Sequence, residues 1–205
     1  MNRNCKKVLP FGWTYRKLCE LGEFFQGDTP STEVADYWDG TYPFITGADI
    51  KNLYVGEGRS TVTDKGLNSS KTHKCEKDEV LIVSRTRVGR IGIASTVLAV
   101  SQDVTALRLH NGTDPKYLAL YLKSISDQLE DACQGATIKG VTRGFLDNIL
   151  VPFPPTIEEQ ISIANEIEAN LAEVEAMRQA VAKQVEAIEA TPSAILRAVF
   201  DFDLK

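Results

Sequence analysis

The chain has 205 residues, 43% hydrophobic and 25% charged, with a formal net charge of −5. That balance is ordinary for a globular protein and excludes a disordered, collagen-like or disulfide-scaffold chain. The longest stretch free of charge and of strong polar groups, Ile91–Val100, is about half a membrane span, and Met1–Lys7 leads into no apolar signal core, so a cytoplasmic protein without membrane association is expected.

Cys5, Cys19, Cys75 and Cys133 form no CxxC pair, and only His73 and His110 are available to complete a metal site. Scattered reduced thiols and no metal are expected. Residues 13–60 read as short strands and turns. Gly27–Pro30 and Trp38–Gly40 give turn signals, with the β-prone Tyr42–Thr46 after them. Glu79–Ser84 predicts a short buried strand, and Arg90–His110 predicts two or three more.

Asp114–Pro115 predicts a helix start, with Asp at the N-cap and Pro at the first helical position. Tyr117, Leu118, Tyr121, Leu122, Ile125 and Leu129 continue it at helical spacing as far as Gly135. Gly135–Gly140 reads as a polar loop, Thr142–Leu146 as a helical turn and Ile149–Phe153 as a closing strand. Pro152, Pro154 and Pro155 are expected to stop any sheet and mark a domain boundary.

Thr156 and Glu159 then form a capping-box pattern ahead of a stretch without Gly or Pro from Ile157 to Ala190. Ala164, Ile167, Leu171, Val174, Met177, Val181, Val185 and Ile188 recur every three or four residues, which predicts an apolar seam about 50 Å long. A seam that long is expected to project from its own domain and pair with another helix. Thr191–Pro192 is expected to break the helix, leaving a short C-terminal helix over Ser193–Phe200. The expected architecture is therefore α+β, with a sheet-rich globular domain over 1–155 and a long coiled-coil helix over 156–205.

Charge is unevenly distributed. Ile157–Ala190 carries a net of −6, which leaves residues 1–156 at +1. Within that near-neutral head, Lys65, Lys71, Lys74, Lys77, Arg85, Arg87, Arg90 and Arg108 face only four acids between residues 65 and 108. A local basic surface is compatible with the acidic whole.

Taken in order, the motifs resemble the specificity subunits of type I restriction–modification systems. Gly27-Asp-Thr-Pro-Ser-Thr32, Tyr37-Trp-Asp-Gly40 and Pro43-Phe-Ile-Thr46 are similar to the opening of their target-recognition domain. Leu81–Gly89 resembles its central strand and loop, and Gln102-Asp-Val104 its next motif. Gly135-Ala-Thr-Ile138, followed by Phe145–Gln160, resembles the exit into a spacer helix. The resemblance implies a non-catalytic, sequence-specific binder of double-stranded DNA that needs no cofactor. It also implies a separate methyltransferase subunit as partner, with a restriction subunit where one is present. A full member resembles two recognition domains alternating with two spacer helices. This chain has one of each and no internal repeat, so it resembles a half-subunit, for which pairing through the seam predicts a homodimer on a bipartite target.

Candidate DNA-contacting residues follow from chemistry. Arg85, Arg87 and Arg90 suit guanine edges or phosphates, and Ser84, Thr86 and Gly89 let backbone approach closely. If the strand continues, Arg85 and Arg87 share one face. Thr137, Lys139, Thr142 and Arg143 sit in a glycine-flanked loop suited to phosphate, while Thr46, with Asp49 and Lys51, and Lys71 are further candidates. Trp13 and Trp38 are expected in the core, and His73 and His110 on the surface or in turns. No dinucleotide loop, P-loop, nucleophile elbow or amino-methyltransferase motif is present. The other class of function open to this sequence is a coiled-coil adaptor whose head binds protein.

Overall fold

Short runs rich in β-branched and aromatic residues form the strands of the head. In chain order these are β1 (Thr14–Lys17), β2 (Gly22–Gln26), β3 (Trp38–Ile45), β4 (Tyr54–Val55), β5 (Ser60–Val62), β6 (Lys74–Cys75), β7 (Val80–Val83), β8 (Ile91–Ala94), β9 (Leu98–Val100), β10 (Val104–Leu109) and β11 (Leu150–Phe153). The helices are α1 (Asp64–Ser69), α2 (Pro115–Ser124), α3 (Ser126–Gln134), α4 (Arg143–Asp147) and α5 (Ile157–Phe200). The computed structural model describes residues 8–134 and 140–200. The chain divides into two compact units, Met1–Ser162 and Ile163–Lys205, so the first turns of α5 belong to the head.

Two sheets build the head, one ordered β2-β10-β7-β8-β4 and the other β5-β3-β9-β6. Ile45, Cys75, Leu98 and Val100 of the second meet Leu81, Val83, Ala94, Val104 and Ala106 of the first in one buried cluster. All four residues of β7 are buried, as its continuous apolar run predicts. A smaller cluster of Phe44, Val62, Leu67 and Ala99 joins α1 to β3, with Trp38 and Tyr42 packed against it. A two-stranded antiparallel ribbon pairs β1 with β11, the first strand of the head with its last.

Side-chain caps start three helices where the sequence places them. The Tyr117 amide donates to Asp114 Oδ1 (2.7 Å), the Phe145 amide to Thr142 Oγ1 (3.3 Å) and the Glu159 amide to Thr156 Oγ1 (3.2 Å). The return bond of the capping box is replaced. Glu159 Oε1 instead accepts from the Trp13 indole N–H (2.9 Å), which leaves Trp13 half-buried.

Several expectations are corrected. Trp38–Gly40 is a bulge within β3 and not a turn, since both Trp38 and Tyr42 pair with Val62. Pro152 does not stop the sheet; it lies inside β11 opposite Tyr15, in a ribbon that leaves its missing N–H without a ladder to break. The helix after Asp114 does not run unbroken to Gly135. It stops at Ile125, whose backbone leaves the helical region, while the Ser124 hydroxyl bonds the Tyr121 carbonyl.

The break and short C-terminal helix expected at Thr191–Pro192 are absent, and α5 runs from Ile157 to Phe200. The Thr191 hydroxyl donates to the Ala187 carbonyl (2.8 Å). The carbonyl of Ile188, deprived of its amide partner by Pro192, lies on an exposed stretch that water reaches. Along the predicted seam, Ile167, Leu171, Val174, Met177, Val181, Val185 and Ile188 are exposed. Ala164 is already fully buried in the single chain and is therefore not part of the open seam.

Candidate nucleic-acid interface

Strand polarity gathers a set of loops at one end of the two sheets. β3 and β9 run parallel and finish there at Ile45 and Val100, and the Ser101 amide bonds the Ile45 carbonyl (2.9 Å). β7 finishes there too, antiparallel to β10, so the Ser84 amide reaches the Asp103 carbonyl (2.9 Å). β2 ends at the same level, with the Gly27 amide on the Val104 carbonyl (3.1 Å). Residues 140–141 join them through the Val141 amide, which bonds the Ser84 carbonyl (2.8 Å).

The loop after β7 is the tightest of these. The Arg87 amide donates to the Arg85 carbonyl (2.7 Å) across Thr86, whose φ is +59°. This is a γ-turn in its rare, strained form, at a β-branched residue that ordinarily avoids left-handed backbone. The Thr86 hydroxyl bonds the same carbonyl (2.8 Å). Strain of this kind persists only where the surroundings enforce it, and it clusters at binding sites. Arg85, Thr86 and Arg87 are all exposed, and among the described residues neither arginine has an acidic partner.

A second turn packs beside this one. Thr46 accepts a bond from the Ala48 amide, and both its own amide and its hydroxyl donate to Asp49 Oδ2 (2.9 and 2.6 Å). Arg59 closes the turn through Nε to Asp49 Oδ1 (2.8 Å) and Nη2 to Thr46 Oγ1 (3.0 Å). Burial alone would raise the Asp49 carboxyl, but the bonds from Thr46 and Arg59 outweigh it and hold the group below the usual range. Gly47 permits the approach of the two turns, since a Cβ there would meet Val83 Cγ1 at 2.8 Å. Arg90 ties them together, Nη1 donating to the Gly47 and Ile50 carbonyls (3.4 Å each). Lys51, Arg59, Lys71, Arg85, Arg87 and Arg90 thus stand at one end of the head, opposed by Asp28, Asp49 and Asp103.

The family model for the type I restriction modification DNA specificity domain matches residues 10–186. The chain belongs to that family. It is similar to the specificity subunit of the type I restriction enzyme MjaIX of Methanocaldococcus jannaschii, 30% identical over 158 residues, covering 74% of this chain and 36% of the relative. The HindI specificity subunit of Haemophilus influenzae is 23% identical over 132 residues, covering 63% of this chain and 29% of the relative. Among solved structures, a chain from work on assembly and conformational transition of the type I R-M system matches with a TM-score of 0.78 at 24% identity, over 94% of this chain and 47% of the other. The HsdS subunit of Thermoanaerobacter tengcongensis matches with a TM-score of 0.73 at 24% identity, over 98% of this chain and 48% of the other. These structural likenesses show the fold, a mixed sheet-rich domain with a long C-terminal helix. The chain spans less than half the length of each of these relatives.

Within this specificity-domain head, Ser84, Arg85, Thr86, Arg87, Gly89 and Arg90 lie on one loop, and Thr46 lies on the turn packed beside it. The shared face expected of Arg85 and Arg87 does not form, because β7 ends at Val83 and the chain reverses at Thr86. Ser84 is buried and its hydroxyl is engaged by Thr105 (3.1 Å), which makes it a support of the loop. Lys71 joins the same end, its amide on Asp28 Oδ2 (3.4 Å). The Thr142 hydroxyl caps a helix, and Arg143 pairs through Nε with Asp147 (2.6 Å) over the Phe24 ring, so both already have partners within the head. Thr137 and Lys139 lie outside the described residues.

Arg59 was not legible as a site residue, because nothing near it in sequence marks it; its role rests on Asp49, ten residues away. His73 is not the surface or turn residue expected. It is half-buried, stacks on Phe25 (4.1 Å between ring centroids) and bonds Glu79 Oε2 (2.9 Å). Glu79 also accepts from Arg108 (2.8 and 2.7 Å) and from the Glu76 amide (3.2 Å). Burial would raise the Glu79 carboxyl, but bonds from His73, Arg108 and that amide hold it low. His73, Cys75 and Glu79 bring potential ligand atoms within 4.8 Å of one another. With Glu79 engaged by Arg108 and burial pushing the Cys75 thiol up, the group acts as a structural hub. Among the described residues, no helix is long and apolar enough to cross a membrane.

Proposed function

We propose that this chain is the DNA-recognition component of a type I restriction–modification system, acting in the cytoplasm without chemistry or cofactor of its own. The observation that carries the reading is the strained turn at Thr86, which presents Arg85 and Arg87 unpaired among converging loops in a chain of this family. Arginine is the side chain best suited to guanine O6 and N7, and the neighbouring Arg59, Lys71 and Arg90 suit the flanking phosphates. The head, residues 1–155, reads the target. The helix that follows organises the complex with a methyltransferase subunit, and with a restriction subunit where the system has one.

With one head and one helix, the chain completes itself as a homodimer through the exposed seam from Ile167 to Ile188. Charge favours the antiparallel arrangement. Within α5, Arg178, Lys183 and Arg197 all lie after Met177, whereas Ile157–Met177 carries six Glu and no base. Antiparallel pairing sets the acidic half of one helix against the half of the other that holds every cation. Two identical heads then read inverted half-sites, and the target is a split palindrome with centres at least about 34 Å apart.

Co-expression with the methyltransferase subunit and mapping of methylated sites tests the reading. A single split-palindromic motif, lost on Arg85→Ala with Arg87→Ala, supports it. Methylation that is independent of this chain overturns it.

A further inference from the structure

The part of the interface that the recognition loop does not account for is a cavity of about 300 Å³ on its flank. Three elements distant in sequence meet there: Ile50 and Lys51 from the turn after β3, Gly89 and Arg90 from the end of the β7–β8 loop, and Lys123 and Ser126 from either side of the α2–α3 elbow. The break at Ile125 creates this elbow. Ser126, the first residue of α3, packs directly against Gly89.

The charge is one-sided. Lys51, Arg90 and Lys123 line the cavity, and among the described residues none has a carboxylate at ion-pair distance. Arg90 is held in place by the Gly47 and Ile50 carbonyls (3.4 Å each), which occupy only one of its nitrogens and leave other donors to spare. Gly89 sets the width. Its φ is +88°, and a Cβ there would lie 3.1 Å from the Ser126 carbonyl and 3.3 Å from Glu130 Oε1. Glu130 thus places a carboxylate beside Gly89, opposed in charge to the three cations.

We propose that this cavity binds a backbone phosphate of duplex DNA, with Lys51 and Lys123 as its principal cations and Arg90 as the fixed donor between them. The proposal rests on the DNA-recognition reading and adds to it a positioning contact distinct from base readout. At about 300 Å³ the space has room for a phosphate group with its water, and its cationic lining is what favours an oxyanion. Gly89 and Arg90 are shared with the recognition loop, so a phosphate held here fixes the register of the duplex relative to Arg85 and Arg87. Such contacts anchor and orient without carrying sequence information.

The test uses the full chain in complex with its methyltransferase subunit, comparing wild type with Lys51→Gln/Lys123→Gln. Binding is read by fluorescence anisotropy on cognate and random-sequence duplexes over a range of salt. Both lysines are exposed, and thermal melting checks that the variant is folded. Loss of the principal cations that neutralise this one phosphate makes the slope of log K against log salt shallower by about 0.9, weakens both duplexes by the same factor of about tenfold, and leaves the methylated motif unchanged. An unchanged slope and affinity overturns the proposal alone, since the recognition loop still works. A changed motif also overturns it, because the pocket then reads a base. Stabilisation of wild type by inorganic phosphate, lost in the variant while duplex binding stays intact, assigns the cavity to a free oxyanion and overturns the assignment to DNA. A wild-type complex that binds no duplex overturns this proposal together with the functional reading beneath it.

Discussion

Val174→Glu together with Val181→Glu should dissolve the proposed dimer while leaving each chain folded. Val174 and Val181 are 53% and 56% exposed in the single chain, so a partner helix has about half of each side chain left to cover. Full burial of a valine contributes about 1.5 kcal/mol, and half of that is about 0.8 kcal/mol. A two-fold interface contains each residue twice, so the four positions together contribute about 3 kcal/mol. Replacing them puts four carboxylates into the seam at a cost of at least about 1 kcal/mol each. With 1.4 kcal/mol per decade, a total of about 7 kcal/mol should raise the dissociation constant about 10⁵-fold. Glutamate is a better helix former than valine, so far-ultraviolet circular dichroism should show the helix retained. Multi-angle light scattering over a concentration series reads the mass. A variant with wild-type mass at every concentration, or a wild type that stays monomeric in the methyltransferase complex, would refute the reasoning.

Arg87→Ala should weaken specific DNA binding by about 1–3 kcal/mol and relax preference at one base position if the guanidinium reads a base; an even loss across sequences would assign it to phosphate, and no change would remove the loop from the site. Glu79→Gln should cost about 1–3 kcal/mol at neutral pH, because Arg108 and His73 lose their charged acceptor. The folded carboxyl titrates below its ordinary value of 4.5, so its contribution is present above that pH and lost as pH falls through the folded value. Urea titrations between about pH 5 and 3 should therefore show a flatter dependence in the variant; a parallel profile contradicts the hub. Pro192→Ala should restore the amide bond to Ile188 in an exposed helix interior, where proline costs up to about 3 kcal/mol, and should raise hydrogen-exchange protection over the last turns of α5. Unchanged protection there would contradict the expectation, since the Thr191 hydroxyl serves the Ala187 carbonyl and not that of Ile188.

What could be read from the sequence was local. Asp114, Thr142 and Thr156 announce helix starts because a cap and the amide it serves are three residues apart. The apolar run of Val80–Val83 announces a buried strand for a similar reason. The seam of α5 was legible by period alone, although Pro192 misled because its cost is tolerable where water reaches the freed carbonyl. The elbow at Ile125 was missed, since the helical spacing of Tyr117 to Leu129 continues across it. The site was half legible. Arg85, Thr86, Arg87 and Arg90 stand together in sequence, but the turn that reverses the chain between the arginines depends on a left-handed Thr86, which no propensity favours. Arg59 with Asp49, His73 with Glu79 and Arg108, and Lys51 with Lys123 are partnerships made by sheet register and loop packing across long separations. Lys139 and Thr137 remain candidates on sequence alone.

The β1–β11 ribbon bears on how such heads can change. Thr14 lies opposite Phe153 and Lys17 opposite Leu150, so the chain enters and leaves the intervening fold side by side. Everything between those two strands can be replaced by another sequence whose ends meet in the same ribbon, without altering where α5 begins. The loops proposed to face DNA all fall inside that bracket, while the seam falls outside it. Recombination at two adjacent points would then transplant a whole set of sequence preferences onto an unaltered scaffold.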